Sequence, residues 1–228
     1  MIPCAKSRLF DRWFSRHAER RIRGHFGAVR IAGREHFARA TAAAPVLVVC
    51  NHTSWWDPLW ILALARRIHR VEAFALMDAG NLTRNPFFTR VGAFGVDRSD
   101  PADGASAIRY AARLLREPGR VVFIFPQGEE RPSSVRPLGF LGGAAAIARV
   151  AKAALVIPMA LRYEHGSTAR PTLYAAIGAP LEDRSAAAQE RAVTELLEGS
   201  DPSAYETWWS HTPSPWPERL LAALTPLR

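Results

Sequence analysis

A chain of 228 residues, 48% hydrophobic and 22% charged with 15 glycines and 17 prolines, is long enough for one well-buried domain. That balance excludes a disordered tail, a collagen-like repeat and a low-complexity chain. The net charge is +9, and ten basic residues against three acidic ones fall between Met1 and Arg39. So uneven a distribution points to an anionic surface as partner, either lipid or nucleic acid.

Two cysteines, Cys4 and Cys50, make neither a disulfide framework nor a metal-ligand spacing, and the remaining histidines offer no metal set. A reducing compartment is the simplest reading. No apolar run is long enough for a transmembrane helix. Lys6 brings charge too early for the hydrophobic stretch of a signal peptide.

The first predicted element, Lys6–Phe26, is a basic amphipathic helix. Leu9, Phe10, Trp13, Phe14, Ala18, Ile22 and Phe26 recur three or four residues apart, with arginines between them. Two readings stand side by side: an interfacial helix on an anionic bilayer, or a helix docked on the domain's own core. Strands are predicted at Ala28–Ile31, Val46–Cys50, Ala73–Met77, Ala93–Val96, Arg120–Phe125, Leu155–Leu161 and Thr172–Ile177. Helices are predicted at Pro58–Ile68, Pro101–Arg116, Phe140–Lys152 and Ser185–Leu197, with a last amphipathic turn at Glu218–Leu224. Most of the strand runs are apolar throughout, as in strands covered on both faces. The expectation is an α/β fold with a central, mostly parallel sheet flanked by helices, an N-terminal amphipathic helix and a C-terminal helical extension. The corresponding divisions are 1–27, 28–184 and 185–228.

Three predicted strand ends carry chemistry. Asn51-His52-Thr53-Ser54-Trp55-Trp56-Asp57-Pro58 follows the strand Val46–Cys50, with Asp57-Pro58 as a helix start. His52 thus sits at a carboxyl strand end, and a tight turn brings Asp57 to one imidazole nitrogen while the other faces outward. Gly92 to Arg98 places an arginine past the next short strand. Phe125-Pro126-Gln127-Gly128-Glu129-Glu130-Arg131 closes another strand in a polar turn. A lone His and Asp five apart is weak evidence, and on that basis Asp57 is as well read as a helix cap.

Taken in order, these blocks resemble the phospholipid/glycerol acyltransferase family, of the lysophosphatidate acyltransferase type. Asn51, His52, Asp57 and Pro58 are similar to its N-H-x4-D block, and Gly92 to Arg98 to its G-x-x-F-x-x-R stretch. Phe125-Pro126-Gln127-Gly128 is similar to the first half of F-P-E-G-T-R, and Val156-Ile157-Pro158 to its proline-bearing strand. Val29 to Glu35 resembles the family's lead-in, so the likeness covers residues 28 to 180. It implies O-acyl transfer from acyl-CoA or acyl-carrier protein, as co-substrate rather than bound cofactor, to a hydroxyl of a lipid acceptor. His52 is then the general base and Asp57 its orienting partner. Asn51, Arg98, Gln127, Gly128, Glu129 and Arg131 are the implied substrate-binding residues, with backbone N–H groups near Gly128 as oxyanion donors. No metal and no nucleic acid is implied. The expected location is cytoplasmic, peripheral on the inner face of the cell membrane through Lys6–Arg30.

Departures from the family pattern bear on the acceptor. Gly95 stands where Phe is usual, Gln127 replaces Glu, Glu130 replaces Arg, and Leu141 stands where Lys is frequent. Lost positive charge and added acids weaken the case for a phosphate-bearing acceptor and suit an uncharged or glycosylated lipid, while Arg98, Arg131 and Arg136 keep lysophosphatidate open. Two competing functions remain: a thioester hydrolase using the same His/Asp pair, and a basic nucleic-acid-binding protein. The latter lacks an exposed base-stacking sheet or a known binding motif.

Overall fold

The computed structural model describes residues 1–67, 71–166, 168–199 and 201–210. An eight-stranded sheet runs through it: β1 (Ala28–Ala32), β2 (Val46–Cys50), β3 (Glu72–Asp78), β4 (Ala93–Val96), β5 (Arg120–Ile124), β6 (Leu155–Glu164), β7 (Thr172–Ile177) and β8 (Glu206–Ser210). Their order is β4-β3-β5-β2-β6-β7-β1-β8, and only the β6–β7 and β1–β8 pairs are antiparallel. This is the α/β architecture with a mostly parallel sheet that the apolar runs predict.

The helices are α1 (Arg8–His25), α2 (Arg34–Ala43), α3 (Asp57–Arg67), α4 (Ala79–Arg84), α5 (Pro101–Leu114), α6 (Gly143–Val150) and α7 (Ala186–Glu198). On one face of the sheet α1 and α3 cover Val46, Val48, Phe123 and Ile157; on the other, α5, α6 and α7 cover Leu47, Val49, Val122 and Val156. Every side chain of β2 is buried, because alternation sends each one into one core or the other.

Helix α1 starts at Ser7, whose hydroxyl caps the Phe10 N–H, and lays Ala18 and Ile22 into the core. Phe26 follows them inward, whereas Leu9 and Trp13 point outward, 81% and 60% exposed. The aromatic pattern therefore divides: Phe10, Phe14, Ala18, Ile22 and Phe26 turn toward the domain, and Leu9 and Trp13 meet solvent. Among the described residues no helix is long and apolar enough to cross a membrane.

Two features position the site. Strand β6 is ten residues long; its first half pairs with β2, and its second half runs on past the end of β2 while pairing with β7. Edge strand β4 is covered by the amino-terminal segment, where Ile2 and Gly95 exchange backbone hydrogen bonds of 3.0 and 2.8 Å. A Cβ on Gly95 would crowd Leu82 and Ile2, which accounts for the missing Phe at that position.

The C-terminal region departs from expectation. Residues 206–210 form a strand against β1 instead of continuing a helical extension, and Trp208 packs edge-on against Trp60 at 4.7 Å. The turn expected at Glu218–Leu224 lies outside the described residues.

Candidate active site

The carboxyl ends of β2, β5 and β6 meet at His52. Asp57, at the start of α3, is fully buried. Its Oδ2 lies 2.8 Å from His52 Nδ1 and accepts the N–H groups of Thr53 and Ser54 at 2.8 and 3.0 Å. Its Oδ1 accepts the hydroxyl of Tyr163 from the overrunning half of β6. Oδ2 already accepts two backbone N–H groups, so the ring donates to it through Nδ1, the tautomer that leaves Nε2 as the acceptor.

His52 is held through its backbone, through Nδ1 and on one face of its ring. Its backbone N–H donates to Gln127 Oε1 at 2.6 Å, and its carbonyl accepts the Arg131 N–H at 2.8 Å. The ring stacks on Phe125, with centroids 4.4 Å apart and planes 21° from parallel. On the open side, Glu130 Oε1 lies 3.9 Å from Nε2. The turn after β5 therefore fixes the imidazole from both its backbone and its flat face.

The structure brings the expected site residues together, in different postures. Asn51 is buried, and its amide donates to the Leu161 carbonyl at 2.9 Å and accepts the Leu161 N–H at 2.8 Å. The side chain thereby extends the β2–β6 ladder one step while the backbone turns away. Gln127 is likewise buried and engaged with His52. These two residues, expected against substrate, hold the loop instead.

The Gly128 N–H, expected as an oxyanion donor, closes the turn onto the Phe125 carbonyl at 3.0 Å. That bond engages one of the backbone donors expected near Gly128. Gly128 has φ +73°, and a Cβ there would overlap the Arg98 guanidinium, so a glycine is what lets Arg98 reach the turn. Arg131 donates through Nε and Nη2 to Glu129 Oε1 at 2.8 and 2.6 Å. Arg136 is paired with Glu198 of α7 at 2.9 Å.

His52, Arg98, Gly128, Glu129 and Glu130 line one polar end of a cleft of about 1130 Å³ whose remaining walls are largely apolar. Trp55 also lines it, whereas Trp56 and Trp60 are packed inside the domain. Cys50 lies under the site, and burial, followed by the charge of Asp57, pushes its thiol well above the usual range. A thiol held protonated makes a poor nucleophile. Tyr163 escapes sequence reasoning because it shares no motif with Asp57; the signal available was only the length of the apolar run that became β6.

Residues 28–162 match the acyltransferase family, and the chain belongs to that family. It is similar to the 1-acyl-sn-glycerol-3-phosphate acyltransferase of Streptococcus pneumoniae (strain ATCC BAA-255 / R6), 34% identical over 110 residues. The matched stretch makes up 46% of this chain and 38% of that relative.

Proposed function

We propose that this member of the acyltransferase family moves a fatty acyl group from an acyl thioester, acyl-CoA or acyl-carrier protein, to a hydroxyl of a lipid acceptor. The observation that carries the reading is the His52–Asp57 pair, its Nδ1 held at 2.8 Å and its ring on the wall of a large apolar cleft. Nε2 takes the hydroxyl proton while the acceptor oxygen bonds to the thioester carbonyl carbon. The carbonyl electron pair moves onto oxygen, and the Arg98 guanidinium beside Gly128 is the donor best placed for that charge. Collapse re-forms the carbonyl, breaks the C–S bond and releases the thiolate, which recovers the proton from His52. Asp57 keeps the imidazole in one tautomer and supports its charge.

The relative's name carries over as one acceptor to test, 1-acylglycerol 3-phosphate. The local charge favours another. Arg131 is engaged by Glu129, and Glu130 lies beside Nε2, so an acceptor that is uncharged near its reacting hydroxyl, such as a glycosylated lipid, meets less repulsion. Helix α1 and its flanks supply contact with an anionic membrane through the basic stretch Lys6–Arg30, on the cytoplasmic side, although Lys6 itself turns inward onto Asp11 and the Ala73 carbonyl. Leu9 and Trp13 are exposed among the exposed Arg8, Arg12 and Arg16.

The test is thioester consumption and product mass for the parent and His52→Ala, with lysophosphatidate, glycerol 3-phosphate, a lysophospholipid, a glycolipid and a long-chain alcohol as acceptors. An acylated product that appears only with His52 supports the reading. His52-dependent thioester cleavage that no acceptor accelerates would make the protein a hydrolase, and equal acylation by His52→Ala would remove His52 from the chemistry. Sedimentation with anionic vesicles, with Trp13→Glu as comparison, tests the membrane contact; equal sedimentation of both would refute it.

A further inference from the structure

Successive side chains of a strand point to opposite faces, so Ala73 and Ala75 of β3 face the α1–α3 layer while Phe74 and Leu76 face α5 and α6. All four line the same cleft. The cleft therefore reaches both faces of one sheet. It cannot pass through the sheet where β3 is paired, because β5 holds Glu72 to Ala75 and β4 holds Ala75 to Asp78. The β3–β5 ladder, however, stops at the Ala75–Phe123 pair, whereas β3 runs three residues further to Asp78. Beyond that last pair the edge of β3 facing β5 is open, beside Phe125, Pro126 and His52, and there the two halves of the cleft join.

Each half is an apolar arm with its own walls. The arm on the α3 side is built from Ile61, Leu62, Ala75, Phe88 and Val91. The arm on the α5–α6 side is built from Phe74, Leu76, Ile108, Ala144 and Ile147. Ala75 and Leu76 are only half-buried although they sit inside the sheet, as residues facing a binding space are. A site for one small ligand occupies roughly 300–1,000 Å³, and this cleft exceeds that range.

We propose that the two arms hold two hydrocarbon chains at once, diverging from His52 to opposite faces of β3, so that the protein sets the chain lengths of its two substrates with separate residues. The α3-side arm takes the chain of the acceptor. Its Phe88 and the neighbouring Phe87 pack on Phe14 of α1 at 6.2 and 5.5 Å, which joins this arm to the helix that exposes Leu9 and Trp13. The α5–α6 arm takes the chain of the thioester. This assignment rests on the acyl-transfer reading above.

Two substitutions separate the arms. Gly104 of α5 lines the second arm, and a Cβ there meets nothing within 4 Å, so Gly104→Leu adds bulk to open space on a helix that tolerates leucine better than glycine. Ala75→Ile adds bulk to the first arm on a strand that favours branched residues. Donor chain length is varied at fixed acceptor, then acceptor chain length at fixed donor, with kcat/KM as readout. Gly104→Leu is expected to lower the donor optimum, losing roughly fourfold in kcat/KM for each methylene that no longer fits, and to leave the acceptor profile unchanged. Ala75→Ile is expected to do the reverse. If Ala75→Ile fails to fold, Phe88→Leu enlarges the same arm and is expected to favour longer acceptor chains. The proposal is overturned if both arms move the same substrate's profile, if the profiles move in exchanged order, or if neither moves in folded variants. Failure of the acyl-transfer reading is distinguishable, because the unsubstituted protein would then give no acylated product.

Discussion

The hydroxyl of Tyr163 donates to Asp57 Oδ1, joining the far end of β6 to the first residue of α3 across 106 positions of sequence. Asp57 Oδ2 is occupied by His52, Thr53 and Ser54, so Tyr163 alone secures the other oxygen among the described residues. Its ring lies 5.7 Å from Phe26, which packs it against the end of α1. Removing only the hydroxyl leaves that packing in place and frees the carboxylate to rotate. Tyr163→Phe is expected to lower kcat roughly ten- to a hundredfold with little change in KM, since a misaimed base affects the reacting geometry more than substrate contact. Steady-state kinetics check this; an unchanged kcat would show that Oδ2 suffices to aim His52.

Gln127 makes a prediction that separates shape from charge. It holds the His52 N–H with a side-chain oxygen, a role that either an amide or a carboxylate can fill. Gln127→Glu restores the acid that the resemblance leads one to expect and keeps an acceptor in place, so most of the activity is expected to remain. Gln127→Leu leaves a buried N–H without its partner, at about 1–3 kcal/mol, and lets the histidine loop shift. Activity is expected to fall at least tenfold with a lower melting temperature. Equal loss in both variants would mean that the amide nitrogen matters instead.

How far the sequence carried the reading depends on the range of each interaction. Val46–Cys50 and Ala93–Val96 were legible because uncharged runs bounded by polar turns suit strands covered on both faces. Helix α2 leaves little trace in the sequence, because only Phe37 and Ala40 of its ten residues are buried, too narrow a stripe to show a period. Strand β8 leaves little trace either, because its tryptophans lie in a proline-rich stretch and the strand acquires its partner only when β1 is in place. The same division holds in the site. His52 and Asp57 lie within one turn, so their meeting follows from local spacing. The roles of Asn51 and Gln127 are set by Leu161 and His52, on strands brought alongside only by the sheet order.

Stability at high pH follows from two groups beneath the site. Burial, then the charge of Asp57, raises Cys50; burial, then Asp57 through charge and hydrogen bond, raises Tyr163 well above the usual tyrosine range. Both are neutral when protonated, so over the alkaline range the unfolded chain releases protons that the folded chain retains. Stability is therefore full below the unfolded values, about 8.5 for cysteine and 10 for tyrosine, and declines as pH rises beyond them. Each group contributes a slope of up to about 1.4 kcal/mol per pH unit. Urea midpoints measured across this range are expected to fall. Cys50→Ala should flatten the earlier part of the decline and Tyr163→Phe the later part. A decline of the same slope in both variants would place its cause elsewhere.

Glu130 offers the sharpest control over the acceptor. Its carboxylate lies 3.9 Å from His52 Nε2 and is half exposed, so under the proposed acyl transfer its field reaches the acceptor headgroup but is screened by solvent. A phosphate brought near His52 Nε2 meets Glu129 and Glu130, with Arg131 already engaged by Glu129 and Arg98 as a cation lining the same end. Glu130→Arg replaces repulsion with attraction at one point while leaving the His52–Asp57 pair untouched. The ratio of kcat/KM for lysophosphatidate to that for an uncharged acceptor is expected to rise roughly fivefold, and the gain should shrink as salt is added. A rise in both acceptors alike would mean that the arginine acts on the thioester donor, and an unchanged ratio would place the headgroup away from Glu130.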